Sequence, residues 1–181
     1  MTTPATKPLD RPPQPGRRGV RIAGTGSFLP EKLLTNADLE RMMDTSDEWI
    51  VQRTGIRERH IVDRSKGEST YTISAQALRR ALAASGTPAT DLDLLIVATV
   101  SAEMPCPSTA CRVALDVGMG TGAAFDITAA CCGFVYALNL AHDLIKVGTH
   151  RTVAVIGAET LSQFMDYTTE GRGTAILFGD A

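Results

Sequence analysis

Short, almost continuously apolar runs alternate along the chain with longer segments of helical periodicity. Residues 93–100 and 152–157 are apolar at nearly every position. Strands of this kind are covered on both faces, as in a parallel sheet that lies between layers of helices. The pattern therefore predicts an α/β fold with a layered, mainly parallel sheet, and it shows no internal repeat.

Periodicity and capping residues predict the other elements. The further predicted strands are 20–26, which runs into a glycine turn, 56–64 on the surface, a run that ends at Asp126, and 174–178. The further predicted helices are one that begins at the cap Asn36, one from Thr45 or Ser46 to a stop at Gly55, one at 70–84, and one at 108–117 with Ser108 as its cap. His60 falls in the surface strand and is expected to be solvated.

Two adjacent cysteines, Cys131 and Cys132, stand where the run 125–127 gives way to a long apolar segment. This order predicts a strand, a tight turn and a helix, with a thiol at the turn. A helix N-terminus carries positive partial charge and free N–H groups, and both favour the nucleophilic thiolate. The polar stripe of the following helix, continued back to the helix start, passes close to Cys132. Cys131 is therefore favoured as the residue of the turn itself. The alternative is that both cysteines are small buried hydrophobes.

The segment that follows, 134–147, is apolar around most of the circumference of its predicted helix. A helix with this pattern lies in the interior of a fold and not on its surface. We therefore expect a buried central helix, with the candidate nucleophile at its end and reached through a tunnel.

A tryptophan and an arginine lie four residues apart on the predicted helix that ends at Gly55. Trp49 and Arg53 therefore share one face of that helix. An indole beside a guanidinium is a plausible platform for a flat base and a phosphate. The alternative is a core tryptophan with an arginine stem packed over it.

Charge and composition exclude several classes of protein. The net charge of −2 over 181 residues gives no indication of a nucleic-acid partner or of an acidic membrane surface. No apolar run is expected to cross a bilayer, and the N-terminus lacks the apolar segment of a signal peptide. The four cysteines lack metal-ligand spacing, so no metal site is expected, and they indicate free thiols in a reducing compartment. Residues 1–19 are rich in proline and predict a disordered tail.

Five segments, in this order, resemble motifs of the β-ketoacyl-acyl-carrier-protein synthase III family, in the thiolase superfamily. They are 24–30 (GTGSFLP), 44–51 (DTSDEWIV), 53–56 (RTGI), 129–134 (AACCGF) and 177–180 (LFGD). The resemblance runs from about Val20 to the last residue and implies a thiolase-like layered fold with a mainly parallel mixed sheet. Family members are nearly twice as long and consist of two similar halves. The resemblance therefore implies that residues 20–181 form the first, N-terminal half-domain.

The resemblance also implies roles for individual residues. Cys131 matches the nucleophile that accepts an acyl group from acyl-CoA, whereas Cys132 stands where the family commonly has alanine or another small residue. The positions that match coenzyme A contacts are Trp49 and Arg172, which sandwich the adenine, and Thr45 and Arg53, near the nucleotide and its phosphates. Cys106 matches a position, often phenylalanine, that reaches into the acyl pocket of the partner in a homodimer.

The activity implied is transfer of the acyl group to malonyl-acyl-carrier protein, which starts fatty-acid biosynthesis in the cytoplasm. Acyl-CoA is a substrate here, and no cofactor is implied. The family's catalytic histidine and asparagine lie in its second half, and none of His60, His142 and His150 matches either role. The alternatives are another thiolase-superfamily condensing enzyme and a non-catalytic half that binds CoA or pairs with a second polypeptide.

Overall fold

The computed structural model describes residues 19–181, so nearly all of the predicted tail at 1–19 lies outside the described residues. The strands are β1 (Leu33–Thr35), β2 (Glu58–His60), β3 (Leu94–Ala98), β4 (Ala123–Ile127) and β5 (Val153–Gly157). The α-helices are α1 (Asn36–Glu40), α2 (Asp47–Thr54), α3 (Thr70–Ser85), α4 (Thr109–Val117), α5 (Gly133–Lys146) and α6 (Arg172–Ala175). Short 3₁₀ turns lie at Arg64–Lys66, Ala89–Asp91, Ala130–Cys132 and Leu161–Phe164.

A three-stranded parallel sheet, in the order β4-β3-β5, forms the centre of the molecule. Every residue of β3 is buried, as its continuous apolar run predicts. Leu95 and Val97 belong to the core that α3 and α4 share with the sheet, whereas Ile96 packs with Ala137 of α5. Since successive strand residues point to opposite faces, helices cover both faces of β3, and the predicted layered α/β fold is confirmed.

A second, smaller unit consists of the antiparallel pair β1–β2 together with α1, α2 and α6. Its core includes Leu39 of α1, Ile50 of α2 and Ile176 just after α6. Ile50 is fully buried. Residues far apart in the sequence therefore meet in one apolar cluster, and this cluster brings α2 and α6 together.

Helix boundaries are confirmed at three of the predicted caps. Ser46 accepts a hydrogen bond from the Trp49 N–H at 3.1 Å, and Gly55 ends α2 in the left-handed conformation. Ser108 caps α4 through the Cys111 N–H. The predicted cap Asn36 is wrong by one residue, because Thr35 caps α1 through a reciprocal pair of hydrogen bonds with Asp38.

Two predicted strands are wrong. Residues 20–26 form no strand, and Ile22 is 77% exposed. The backbone at Gly24 and Gly26 packs directly on α3, where an added Cβ at Gly26 would lie only 2.4 Å from the Ala81 nitrogen. At 174–178 the chain forms the end of α6 and a turn, because Ala175 and Ile176 are buried in the core of the smaller unit.

Within residues 19–181, the predicted central helix α5 is covered on one face only. Gly133, Ala137 and Ala141 are the buried residues of α5, while Phe134 and Val135 are exposed. The face that packs on β3 consists of small residues, and no described residue covers the larger apolar side chains. The segment Ala130–Val147 is also long and apolar enough to span a membrane by length and composition, contrary to expectation. Core helices of soluble proteins have the same length and apolar composition.

Candidate active site

The turn between β4 and α5 carries the two adjacent cysteines. After Ile127 the chain makes a 3₁₀ turn at Ala130–Cys132 and enters α5 at Gly133. Ala130 has a φ of 45°, the left-handed region that is unfavourable for a residue with a Cβ. Strain of this kind costs of the order of 1–3 kcal/mol and is often found at functional sites. The predicted strand, turn and helix are confirmed, and the strained residue directly precedes Cys131.

Small residues let the start of α5 approach the ends of the central strands. A Cβ added at Gly133 would lie 3.2 Å from the Ala98 Cβ, and one added at Gly157 would lie 3.1 Å from a ring carbon of Phe134. The Thr128 hydroxyl donates to the Thr99 carbonyl at 3.2 Å, which ties the turn to the end of β3. The sheet and the helix therefore fix the position of the turn from both sides.

Cys131 is solvent-exposed in this turn, and so is Cys132. Over residues 19–181 neither cysteine is a buried hydrophobe, and no described residue closes a tunnel over Cys131. Among the described residues, the Cys131 N–H has no backbone acceptor. Free N–H groups and the positive end of α5, a helix of 14 residues, lie next to the thiol. This environment can stabilise a thiolate and also an oxyanion.

Trp49, Arg53 and Arg172 form a cluster that we call the nucleotide clamp, after the role that the sequence resemblance implies for it. The Arg53 guanidinium carbon lies 4.2 Å from the centroid of the Trp49 ring, and that of Arg172 lies 5.0 Å from it. Both distances are within the range of cation–π interaction. The shared face of Trp49 and Arg53 on α2 is thus confirmed. Arg172 comes from α6, 123 positions further along the chain, and the fold brings it to the same indole.

Contacts of the main chain hold the two sides of the nucleotide clamp together. Arg172 donates from Nη1 to the Asp44 carbonyl at 2.6 Å. The Asp44 N–H donates to the Thr169 hydroxyl at 3.0 Å. Next to Asp44, the Thr45 hydroxyl oxygen is buried and has no hydrogen-bond partner within residues 19–181. Thr45 thus directly follows the residue that Arg172 contacts, and its hydroxyl is an unused polar group.

The remaining candidate residues lie apart from this cluster. Cys106 is exposed in the loop between β3 and α4. His60 is not solvated as predicted, since it is half-buried with Nδ1 2.5 Å from the Pro30 carbonyl oxygen. His142 contacts Asp143, and His150 contacts Thr149. Over residues 19–181, no group of three or more His, Cys, Asp or Glu side chains could hold a metal ion.

Two polar networks support the site. Neither was predicted from the sequence. In the first, the buried Arg59 donates to Ile176, next to α6, and to Asn36, which in turn donates to Asp47 of α2. In the second, the Glu159 carboxylate accepts from the Val100 N–H at 2.9 Å and from the Ser101 hydroxyl at 2.5 Å, which joins the ends of β3 and β5. A signal for Arg59 was available, because Arg59 and the partly buried Ile61 lie on the same face of an extended segment.

Comparison with known proteins shows what the chain is similar to. Residues 125–181, which include Cys131 and Arg172, match the family of 3-oxoacyl-[acyl-carrier-protein] synthase III. The β-ketoacyl-[acyl-carrier-protein] synthase III of Caldanaerobacter subterraneus subsp. tengcongensis is 51% identical over 159 residues, which are 88% of this chain and 47% of that protein. The two family names describe the same activity. Over 88% of its length, the chain is thus similar to proteins of the β-ketoacyl-acyl-carrier-protein synthase III family.

Solved structures agree with this similarity and with the predicted thiolase-like fold. The crystal structure of 3-oxoacyl-[acyl-carrier-protein] synthase III from Aquifex aeolicus VF5 has a TM-score of 0.85 at 46% identity and covers 90% of this chain and 51% of that one. The priming β-ketosynthase of the R1128 polyketide pathway has a TM-score of 0.83 at 33% identity, with 92% and 50% of the two chains covered. The chain thus spans about half the length of the family members it matches.

Proposed function

We propose that Cys131 accepts an acyl group from acyl-CoA, as the first step of a β-ketoacyl-acyl-carrier-protein synthase III reaction. The observation that carries this proposal is the combination of two sites in one fold. One is an exposed thiol beside the N-terminus of α5, and the other is an indole with two guanidinium groups at 4.2 and 5.0 Å. The first suits attack on a thioester, and the second suits an adenine nucleotide with its phosphates.

The acyl transfer follows from the groups at the turn. The Cys131 thiolate attacks the thioester carbonyl carbon, and a new carbon–sulfur bond forms while the carbonyl oxygen becomes an oxyanion. The Cys131 N–H, which has no backbone acceptor in the described part of the chain, is available to donate to that oxyanion. The carbon–sulfur bond to coenzyme A then breaks, coenzyme A leaves as its thiolate, and the acyl group stays on Cys131.

The nucleotide clamp would hold the other end of acyl-CoA. Adenine stacks on aromatic rings with about 1–3 kcal/mol per base, and guanidinium groups bind phosphates with charge-assisted hydrogen bonds. A flat base between Trp49 and Arg172 needs about 3.5 Å on each side, or roughly 7 Å in all. The observed 5.0 Å is too short, so Arg172 moves outward when the base enters. Thr45 lies beside this site with its unused hydroxyl.

For the whole protein we propose condensation of the acyl group with malonyl-acyl-carrier protein to 3-ketoacyl-acyl-carrier protein, which initiates fatty-acid biosynthesis in the cytoplasm. Loss of carbon dioxide from the malonyl group leaves an enolate, which attacks the acyl-enzyme and requires hydrogen-bond donors. The three histidines of this chain hydrogen-bond elsewhere, to Pro30, Asp143 and Thr149. They are therefore not assigned this role.

A homodimer belongs to the same proposal. Strand β4 lies at an edge of the central sheet, and Phe125 on it is exposed. An uncovered edge strand can pair with a second copy of the chain. Cys106 is exposed in the loop before α4 and would reach the acyl pocket of the partner, where its small side chain would enlarge the space for the acyl group.

Another thiolase-like condensing enzyme is the second candidate, because the fold is also close to that of a priming β-ketosynthase of polyketide synthesis. The two candidates differ in the acceptor. If the family activity is correct, malonyl-acyl-carrier protein is the efficient acceptor for the whole protein, and malonyl-CoA alone is not. A non-catalytic half that binds CoA is a third candidate, and the exposed apolar face of α5 favours pairing with another polypeptide.

Acylation of the chain itself tests the first step. We expect that incubation with acetyl-CoA adds one acetyl group to the protein, measured by intact mass, and that peptide mapping places it on Cys131. Cys131→Ala should abolish the adduct. Cys132→Ala is the matched control and should retain it, because Cys132 has no role in the proposed chemistry. Acetylation of Cys132, or CoA binding without any adduct, would refute the proposal and favour the non-catalytic candidate.

A further inference from the structure

Arg59 is a buried charged residue in the smaller unit, with 4% of its surface exposed. Its guanidinium donates to neutral oxygens: from Nε to the Ile176 carbonyl at 3.0 Å, from Nη2 to the same oxygen at 2.5 Å, and from Nη1 to the Asn36 side-chain oxygen at 2.7 Å. Burial lowers the pKa of Arg59 from its ordinary value. A charge in the interior is costly unless it is hydrogen-bonded, so these three bonds are needed to keep it there.

Asn36 connects Arg59 to both ends of α2. Its side-chain nitrogen donates to the Asp47 carboxylate at 2.7 Å and to the Ile56 carbonyl at 2.9 Å. Asp47 is the first residue of α2, and Ile56 follows the glycine that ends the helix. Because Trp49 and Arg53 lie between these two points, Asn36 fixes the helix that carries them.

Ile176 is the corresponding anchor on the other side of the nucleotide clamp. It directly follows α6, the helix that begins with Arg172. A helix of this length has little stability of its own, so its position depends on what holds its ends. The Ile176 carbonyl accepts two of the donors of Arg59, and its side chain is buried against the core of the smaller unit. Arg59 therefore holds α6 directly and α2 through Asn36.

We propose that Arg59 is a positioning residue for the nucleotide clamp: through Asn36 and Ile176 it sets the distance between α2 and α6, and thereby the affinity for the adenine nucleotide of acyl-CoA. This inference rests on the proposed function. Arg59 touches neither the nucleotide nor the thiol. The spacing of the helices matters because the Arg172 side chain, now 5.0 Å from the Trp49 ring, must move outward by the thickness of a base and still reach its far face.

The test compares two thioesters that react with Cys131 in the 181-residue chain. Acetyl-CoA carries the adenine nucleotide, whereas acetyl-pantetheine is a thioester without it. In Arg59→Lys the ammonium group cannot reproduce the fork of donors that spans both acceptors. We expect the KM for acetyl-CoA to rise about tenfold. The maximal acylation rate and the reaction with acetyl-pantetheine should stay unchanged.

A direct binding measurement accompanies the kinetics. Trp49 is the only tryptophan in the chain, so its fluorescence reports on the clamp alone. CoA should quench this fluorescence in the wild type, with a Kd about tenfold higher for Arg59→Lys. Arg57→Lys is the matched control, because Arg57 is an exposed arginine of the same segment, and it should bind CoA like the wild type.

Several outcomes would overturn the inference. A merely structural role would lower the rate with both thioesters equally, by reducing the folded fraction. An unchanged Kd for CoA in Arg59→Lys would exclude a positioning role outright. If the wild type itself shows neither CoA quenching nor acylation, the proposed function fails, and the inference fails with it; CoA binding without acylation overturns only the proposed acyl transfer.

A second pair of variants decides the case if Arg59→Lys does not fold. Asp47 is exposed and accepts from Asn36, so its replacement should leave the core intact. Asp47→Ala removes the acceptor and should raise the Kd for CoA about threefold. Asp47→Asn keeps a side-chain oxygen that can accept the bond and should restore most of the affinity. If both variants bind CoA with the affinity of the wild type, Arg59 does not position α2 through Asn36.

Discussion

The nucleotide clamp and the turn that carries Cys131, which we call the thiol turn (Ala130–Cys132), differ in how their surroundings are packed. The clamp lies on a unit whose interior is closed, with Ile50 fully buried below it and Arg59 hydrogen-bonded between its helices. The thiol turn opens onto α5, whose buried residues are small and whose large apolar side chains are exposed, with Val135 at 64% and Tyr136 at 56%. The described residues bury the core of the first region, whereas the second presents an apolar surface.

In the proposed function, this difference separates the binding of the nucleotide from the acyl transfer. For the proposed function, α2 and α6 need a fixed spacing so that only the Arg172 side chain moves when a base enters, and a buried network holds the two helices. The thiol turn needs an accessible sulfur next to free N–H groups, and the strained backbone at Ala130 presents Cys131 there. An exposed apolar face beside such a site marks a surface that another protein segment covers.

The largest expected effect comes from one apolar truncation made in each region. Ile50→Ala should lower the free energy of unfolding by about 2–5 kcal/mol, because it leaves a cavity under the nucleotide clamp. Val135→Ala should change it by less than about 0.5 kcal/mol, because the side chain is mostly exposed. Urea denaturation measures both. A large loss for Val135→Ala would show that a second copy covers α5, and it would end the contrast between the two regions.

The next effect concerns aromatic side chains in the two regions. Trp49→Ala should weaken CoA binding by about 1–3 kcal/mol, because it removes the stacking surface between the arginines. Isothermal titration with CoA measures this loss, which tryptophan fluorescence cannot follow in that variant. Tyr136→Ala, on the exposed face of α5, is the control and should bind CoA normally. If Tyr136→Ala also loses affinity, α5 contributes to the nucleotide site and the two regions are not separate.

The smallest effect concerns two tyrosine hydroxyls. The Tyr167 hydroxyl oxygen is buried and has no hydrogen-bond partner within the described residues, so Tyr167→Phe should stabilise the protein by about 1 kcal/mol. Tyr136→Phe, whose ring is exposed, should leave stability unchanged. A loss of stability in Tyr167→Phe would show that the hydroxyl is paired, by water or by another chain.

The titration of Tyr167 predicts how stability changes at alkaline pH. Burial, and then the nearby Asp180 carboxylate, raise the pKa of Tyr167 above 10.0. The unfolded chain therefore releases this proton at a lower pH than the folded protein does. Tyr167 accordingly costs stability as the pH rises above 10, and this alkaline loss should be smaller in Tyr167→Phe. Urea denaturation at pH 9 and pH 11 measures the difference, and an equal loss in both proteins would contradict it.

The sequence by itself determined the elements whose signal is local. The continuous apolar run of β3, the caps Ser46 and Ser108, and the glycine stop of α2 appear where predicted, because neighbouring residues decide them. The strand, turn and helix around Cys131 also follow from local pattern. The shared face of Trp49 and Arg53 needed only the period of a helix.

Only the tertiary structure decided what depends on distant partners. Arg172 meets Trp49 because α2 and α6 share a core with β1 and β2, and only the resemblance to a known family, not the residue pattern around Arg172, indicates that meeting. Residues 20–26 have a strand pattern but pack their glycines on α3. The apolar circumference of α5 predicts burial, yet burial depends on what lies opposite, and the described residues cover only its small side chains. A pattern states which side chains avoid water, and the fold decides which neighbours cover them.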